Sequence, residues 1–350
     1  MGFPDNLQTA LNNQVADVNT KDLLNAAHDI SLRYRRRGNT ESKNFIKNDI
    51  EALAYAVARM PATYGAVQSA LNYTFENIKN KSLNISSLLD IGAGTGAAAW
   101  AVNEIIDADS IVCVENNAFM RNLGKTLMRN ASGPLKSAEW ENSDISDISD
   151  ISVISADSVL CRADLVIASY VINEIDENIQ IKIAEKLWYA AKKILLFVET
   201  GTPDGYRALN KIRTKLLEHN AHILAPCFHE NICPVSETES DWCHFTCRIQ
   251  RSRLHKSAKN GDAPFEDEKY SYLALTKENI ADDSPPVGSV GSADYAECAR
   301  ILRHPQIGKG HVKLNLCTKN GLKQVTYSKS QGGVYKSARK ANCGDKIIFT

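Results

Sequence analysis

The sequence predicts an α/β protein organised around a largely parallel β-sheet. An apolar run at 86–91 ends in a glycine-rich turn, and an alanine-rich helical segment follows at 97–102. Two later runs, 164–170 and 193–199, are almost continuously apolar, as is typical of strands buried on both faces. Helical segments separate these strands, and this alternation indicates a parallel sheet.

The first 82 residues are predicted to form an N-terminal helical region. Apolar residues recur at helical spacing over 50–60 and again over 64–78. We expect Pro61 to end the first of these helices, because proline cannot continue a helix interior. A basic cluster at 33–37 fits either a solvated helix end or a phosphate contact with an aromatic side chain available for stacking.

The α/β core is predicted to extend over residues 83–224. Its second strand is expected at 111–115, and helices are expected at 179–193 and 206–220. Three Ser-Asp-Ile repeats at 143–151 are low-complexity sequence, which we interpret as an acidic surface insertion.

The glycine turn after the first strand is a candidate cofactor site. Gly92, Gly94 and Gly96 alternate, so the backbone can pass close to a ligand at the start of a helix. Asp90 lies where a carboxylate would repel a pyrophosphate and attract an ammonium group. Glu115 ends the next strand and can accept both hydroxyls of a ribose. These features favour S-adenosylmethionine; a nicotinamide dinucleotide and a turn without a ligand are the alternatives.

The loop that follows the strand at 164–170 carries the polar residues nearest the expected methyl group. We assign Tyr170, Asn173 and Glu174 as candidate catalytic residues, the alternative being a loop that only closes the cofactor cavity. Methyl transfer is a displacement at a sulfonium carbon, so positioning can supply much of the catalysis without a base. The loop has no cysteine nucleophile of the kind that C5 methylation of cytosine requires.

A cysteine-rich segment begins after residue 224. Cys227, Cys233, Cys243 and Cys247 fall within 21 residues, and histidines lie between them. The odd total of nine cysteines argues against a disulfide framework. Thiolates this close together are typical of metal ligands, and both zinc and an iron–sulfur cluster accept them. Unligated core cysteines are the alternative.

The C-terminal end of the chain is strongly basic. Residues 300–350 contain eleven Lys and Arg and one acid, although the formal net charge of the chain is zero. This asymmetry indicates an anionic partner. A small β element is expected there, with strands at 311–316 and 322–327. Since no apolar run approaches the length of a membrane span and no targeting pattern is recognised, we expect a cytoplasmic protein without a membrane partner.

Short motifs spread over most of the chain carry a more specific signal than the glycine turn alone. They are MPATY (60–64), LDIGAGTG (89–96), ASYVINE (168–174), ETGTP (199–203), APC (225–227), WCHF (242–245), RSRLH (251–255), DEKYSY (267–272) and LCT (316–318). Together they resemble the mitochondrial small-ribosomal-subunit methyltransferase-like proteins and their bacterial relatives.

The resemblance implies a class I (Rossmann-like) methyltransferase fold that binds S-adenosylmethionine and associates with small-subunit ribosomal RNA during ribosome assembly. It also implies a 4Fe-4S cluster on Cys227, Cys233, Cys243 and Cys317, which leaves Cys247 outside. Two functions stay open: an rRNA methyltransferase, and a non-catalytic iron–sulfur assembly factor that binds rRNA. We expect a monomer with three regions, namely residues 1–82, 83–224 and 225–350.

Overall fold

A computed structural model gives the structure of this chain. It describes residues 2–36, 45–78, 83–145, 162–238, 240–259, 261–281 and 297–349. The second and third Ser-Asp-Ile repeats and the side chains at 34–37 lie outside the described residues. None of the described helices combines the length and the hydropathy needed to span a membrane.

Four helices form the N-terminal region. They are α1 (Asp5–Ala16), α2 (Thr20–Arg36), α3 (Asp49–Ala58) and α4 (Met60–Glu76). The Asn48 side chain caps α3 by accepting the Glu51 N–H at 2.9 Å. The expectation that Pro61 ends a helix is wrong in detail, since α3 ends at Ala58 and Pro61 lies in the first turn of α4. Proline is tolerated there because its missing N–H would have no helical partner.

The central sheet has eight strands. They are β1 (Ser87–Ile91), β2 (Ser110–Val114), β3 (Glu139–Glu141), β4 (Ala163–Ser169), β5 (Ala191–Thr200), β6 (His222–Ala225), β7 (Phe245–Gln250) and β8 (Phe265–Thr276). Their order is β3-β2-β1-β4-β5-β8-β6, with β7 paired to β8. The first five strands are parallel, which confirms the predicted fold class, whereas β8 is antiparallel to β5, β6 and β7.

Helices cover both faces of this sheet. They are α5 (Ala97–Asn103), α6 (Ala118–Met128), α7 (Glu177–Ala190), α8 (Pro203–Glu218) and α9 (Arg253–Ala258). Successive residues of β1 enter different cores, since Leu88 packs in the cluster that contains α4 and α5 and Leu89 in the one that contains α7 and α8. Every residue of β4 is buried, as its apolar run predicts.

A second sheet lies at the C-terminal end of the chain. Its elements are β9 (Glu297–Ile301), β10 (Gln306–Gly308), β11 (His311–Thr318), β12 (Gly321–Ser328), α10 (Gly333–Lys340) and β13 (Lys346–Phe349). All of its strand pairs are antiparallel, and the predicted hairpin is formed by β11 and β12. The central sheet itself continues past residue 224, because β7 and β8 complete it.

Arg300 of β9 joins the second sheet to the core. This side chain is only 2% exposed. Its Nε donates to the Pro226 carbonyl at 2.8 Å and its Nη1 to the Gly344 carbonyl at 2.7 Å. The guanidinium also lies 4.5 Å from the ring centroid of Phe228 and 5.7 Å from that of Tyr73 on α4. One buried cation therefore contacts both sheets and the helical region.

Candidate functional site

A cavity of about 460 Å³ opens where the parallel strands end. Its walls include Gly92 and Gly94 from the turn after β1, Glu115 after β2 and Tyr170 after β4. The carboxyl edge of an open α/β sheet is where such folds bind their ligands. Glu174 lines it as well, so the structure brings five of the predicted site residues to one cavity.

The glycine turn adopts a backbone conformation that side chains disfavour. Gly92 has a φ of +65°, and a Cβ there would lie 2.6 Å from Cγ2 of Val171. Gly94, with a φ of +58°, lines the cavity. Gly96 has a different position, since it is the N-cap residue of α5. The turn therefore requires glycine at position 92, because a side chain there would be strained and would contact Val171.

Asp90 lies behind the turn and does not line the cavity. It is fully buried, and its Oδ2 accepts the Ala99 N–H at 3.2 Å in the first turn of α5. Burial raises the pKa of Asp90 to about 7, and the nearby Glu115 adds to this effect. Among the described residues its Oδ1 has no hydrogen-bond partner. The carboxyl group thus supports the start of α5 by accepting one of the N–H groups that have no partner within the helix.

Glu115 connects the turns after β1 and β2. Its Oε2 accepts the Gly94 N–H and its Oε1 accepts the Asn117 N–H, each at 2.8 Å. Burial raises the pKa of this carboxyl group, although both hydrogen bonds and the nearby Arg121 act in the opposite direction. Because carboxylate oxygens accept more than one hydrogen bond, Glu115 can also accept ribose hydroxyls from the cavity.

Tyr170 has an unusual backbone conformation. Its φ is +57°, which is rare for a bulky residue, and its N–H donates to the Val198 carbonyl at 2.7 Å. Its hydroxyl donates to Oε1 of Glu268 at 3.1 Å, and the Arg59 guanidinium lies 5.9 Å from its ring centroid. Burial and Glu268 raise the pKa of Tyr170 well above its usual value. The hydroxyl therefore stays protonated and is not a candidate base.

Asn173 contacts an acid that the sequence analysis did not assign to the site. The Nδ2 of Asn173 donates to Oε2 of Glu199 at 2.9 Å, and the Ile172 N–H donates to its Oε1 at 2.6 Å. Glu199 is fully buried, which raises its pKa to about 8, and Glu174 adds to the increase. In the sequence, Glu199 could have been found as an acid at the end of β5, because an acid at the end of β2 identified Glu115.

Four cysteines lie near one another between the core and the second sheet. Cys233 and Cys317 share a small buried cluster, and Cys243 packs against it. Burial raises the pKa of Cys243 well above its usual value, and the nearby thiols of Cys227, Cys233 and Cys317 raise it further. Cys247 lies elsewhere, beside α4, where burial and Glu268 raise its pKa to about 12. The four neighbours are those that the resemblance implies.

The surroundings of these thiols are partly polar. The Tyr206 hydroxyl donates to Sγ of Cys233 at 3.3 Å, and Nε2 of His229 lies 3.6 Å from Sγ of Cys317. Within the described ranges, however, no three Cys, His, Asp or Glu side chains form a group that could hold a metal ion. The described thiols are therefore neighbours that do not form a site for a single ion.

A protein-family model described as mitochondrial small ribosomal subunit Rsm22 matches residues 49–348. Among solved structures, the magnesium protoporphyrin IX methyltransferase of Synechocystis with bound S-adenosylmethionine is 12% identical, with a TM-score of 0.39. That alignment covers 71% of this chain and 91% of the other.

Two curated relatives match most of this chain. The Rsm22-cox11 tandem protein 2, mitochondrial, of Schizosaccharomyces pombe is 26% identical over 338 residues, covering 85% of this chain and 43% of that protein. The ribosome assembly protein METTL17, mitochondrial, of Homo sapiens is 23% identical over 312 residues, covering 85% of this chain and 62% of that protein. The chain therefore spans about half the length of the curated relatives it matches.

Proposed function

Since the chain belongs to the mitochondrial small ribosomal subunit Rsm22 family, we propose that it binds S-adenosylmethionine and small-subunit rRNA during assembly of the small ribosomal subunit. The human relative is named a ribosome assembly protein, which supports the second part of this proposal. The first part depends on the cavity at the carboxyl edge of the sheet, with the Glu115 carboxylate in its wall. A cytoplasmic location and a monomeric state stay predictions; both relatives are named mitochondrial.

The hydrogen bonds of the glycine turn support S-adenosylmethionine over a dinucleotide. In dinucleotide sites the pyrophosphate lies against the backbone N–H groups of this turn. Here the Gly94 N–H already donates to Glu115 at 2.8 Å. A pyrophosphate would have to displace this carboxylate or lie beside it, and both arrangements are unfavourable. A sulfonium ligand with a ribose hydroxyl pair has no such conflict.

Calorimetry of the purified chain is expected to give micromolar binding of S-adenosylmethionine, about −8 kcal/mol. Glu115→Gln should weaken binding about ten- to a hundredfold, because hydrogen bonds to a charged group contribute about 1.5–3 kcal/mol. Glu139→Gln is the matched control, since Glu139 is exposed on the adjacent strand β3. A preference for NAD, or equal affinities in the two variants, would contradict this assignment of the cofactor site.

The lysine-rich hairpin of the second sheet is the proposed rRNA contact. Lys319 and Lys323 lie 3.5 and 4.0 Å from Glu297, so this single acid offsets only part of their charge. Lys329 follows β12 directly. All three lysines are exposed, and the hairpin therefore presents a positive surface of the kind that binds phosphates.

Replacement of Lys319, Lys323 and Lys329 by Gln is expected to weaken binding of a small-subunit rRNA transcript and to reduce its salt dependence. Each lost phosphate contact should lower the slope of log K against log salt by about 0.7–0.9. Filter binding from low to physiological salt measures both quantities. As a control, the same change at three exposed lysines that are distant in sequence from the hairpin should leave the slope unaltered. They are Lys21, Lys182 and Lys192.

A non-catalytic assembly factor is the second candidate function, and the bonding of the catalytic candidates favours it. The Tyr170 hydroxyl bonds to Glu268, and the Asn173 amide bonds to Glu199. Both groups therefore have structural partners in this conformation. Transfer of a labelled methyl group to rRNA distinguishes the two functions, because only an enzyme would incorporate label.

We also propose that Cys227, Cys233, Cys243 and Cys317 hold an iron–sulfur cluster. A single zinc ion needs every thiolate within about 2.3 Å, whereas a cluster of several metal atoms separates its thiolates. The support for this proposal is that the four thiols are neighbours, since Cys227, Cys233 and Cys317 all raise the pKa of Cys243. Burial raises the pKa of Cys227 and of Cys317, and the two buried cations Arg213 and Arg300 offset only part of this increase.

A further inference from the structure

A second cavity, of about 690 Å³, lies beside the cofactor cavity. Residues of α2, α3 and α9 line it, together with the loop that follows β4 and the end of β5. Tyr55, Tyr170 and Glu174 line both cavities and therefore form the wall between them. A ligand in the second cavity would thus lie next to a ligand in the first. Its volume is within the usual range for small-molecule sites.

The two tyrosines give this cavity an aromatic wall. Tyr55 is half-buried on α3, and Tyr170 is held by its backbone bond to Val198 and by its hydroxyl bond to Glu268. Aromatic side chains on rigid elements are the usual surfaces on which unstacked nucleobases stack.

The floor next to the cofactor cavity is polar. The Nδ2 of Asn173 donates to Glu199 and, at 3.3 Å, to Oγ1 of Thr200. Because both donor contacts of Asn173 face the protein, its side-chain oxygen is left as an acceptor for a ligand. Glu174, also on the cavity surface, is a second acceptor. These acceptors match the exocyclic amino group of adenine, cytosine or guanine, which uracil lacks.

The cavity lining also contains cations. Arg59, Arg251 and Lys259 line it. Arg251 and Lys259 share Glu266, at 2.5 and 2.7 Å, while Arg59 lies 3.4 Å from Glu268. Glu174 and Glu199 line the same cavity, so the three cations do not outnumber the acids. The N–H groups of the cations are nevertheless donors that phosphate oxygens can accept from.

We propose that the second cavity binds one unstacked nucleotide with an amino-bearing base, the base against Tyr55, Tyr170 and Asn173 and the phosphate toward the cations. This inference rests on the proposed rRNA-binding function and names the group that the cofactor would face. The base would enter beside the cofactor cavity, as in enzymes that remove their target base from a stack.

Fluorescence anisotropy with labelled pentanucleotides tests the proposal on the full chain. The sequences UUAUU, UUCUU and UUUUU differ only in the central base. The unaltered protein should bind the first two about fivefold more tightly than the third, the effect of one or two hydrogen bonds. Asn173→Ala should remove this preference, and a modest fall in its thermal unfolding midpoint is expected because the hydrogen bond to Glu199 is lost as well.

A second pair of variants tests the phosphate side. Lys259→Gln should weaken all three pentanucleotides by a similar factor, whereas Lys256→Gln, three residues earlier on α9 and outside the cavity lining, should not. Equal binding of the three sequences, or a preference that persists in Asn173→Ala, would overturn the proposal. If a long rRNA transcript binds but no pentanucleotide does, the cavity assignment is wrong and the proposed rRNA-binding function is not contradicted. If neither binds, the proposed function fails as well.

Discussion

Gly92→Ala is expected to abolish measurable binding of S-adenosylmethionine and to destabilise the fold. The new methyl group would lie 2.6 Å from Cγ2 and 3.0 Å from Cβ of Val171, a buried branched side chain with little freedom to move. A positive φ costs a side-chain-bearing residue about 1–2 kcal/mol, and overpacking costs about 1–3 kcal/mol more. Relief of the clash must move the turn, which forms one wall of the cofactor cavity.

Gly133→Ala separates the cost of the positive φ from the cost of the clash with Val171. Gly133 has a φ of +60°, but a Cβ there would meet none of the described atoms within 4 Å. This variant should show only the conformational cost, with unaltered cofactor affinity. Calorimetry and urea unfolding of both variants give the comparison. Normal binding by Gly92→Ala would show that the turn is not part of the cofactor site.

Cys317→Ser is expected to remove the visible colour of protein purified without oxygen. The unaltered chain should be brown and contain about four irons, as in a four-cysteine cubane cluster. Cys317 lies on β11, far along the chain from the other three proposed ligands. Ligand bonds that exist only in the folded state stabilise that state, so loss of this ligand should also expose the second sheet to protease.

Cys247→Ser is the control for this experiment, because Cys247 is equally buried but lies beside α4. It should keep both the colour and the protease resistance. Iron and zinc analysis of the anaerobic protein identifies the metal, and stoichiometric zinc would overturn the choice of iron. Full colour in Cys317→Ser, with none in Cys247→Ser, would return the site to the four cysteines that are closest in sequence.

Local sequence best predicts the elements whose residues are all buried to the same degree. Strand β4 is buried throughout, so its apolar run identifies it directly. Strand β8 begins at Phe265, but only its second half, from Tyr270 onward, is buried throughout. Its first half is charged and is held by pairing with β7 and by an ion pair between Arg248 and Asp267 at 2.7 Å. Such partners come from another segment and leave no periodic pattern in the strand itself.

The candidate site likewise has features that local sequence predicts and features that only tertiary contacts determine. Glu115 was assigned from a rule about strand ends, and the structure places it on the cavity wall. Neither the positive φ of Tyr170 nor the position of Asp90 behind the turn follows from local sequence, because tertiary contacts determine both. The second cavity is formed by two helices of the N-terminal region and by α9, about two hundred residues later in the chain. A sequence pattern cannot indicate a space enclosed by such distant segments.

The buried position of Arg300 has a consequence for how the protein opens. If the second sheet detached, Arg300 would lose its hydrogen bond to the Pro226 carbonyl. Its guanidinium would also move away from the rings of Phe228 and Tyr73. A buried charge without these partners would be costly, so partial detachment is disfavoured unless water reaches the guanidinium at the same time. The two sheets should therefore lose their structure in a single cooperative step, and slow amide exchange should extend across the junction between them.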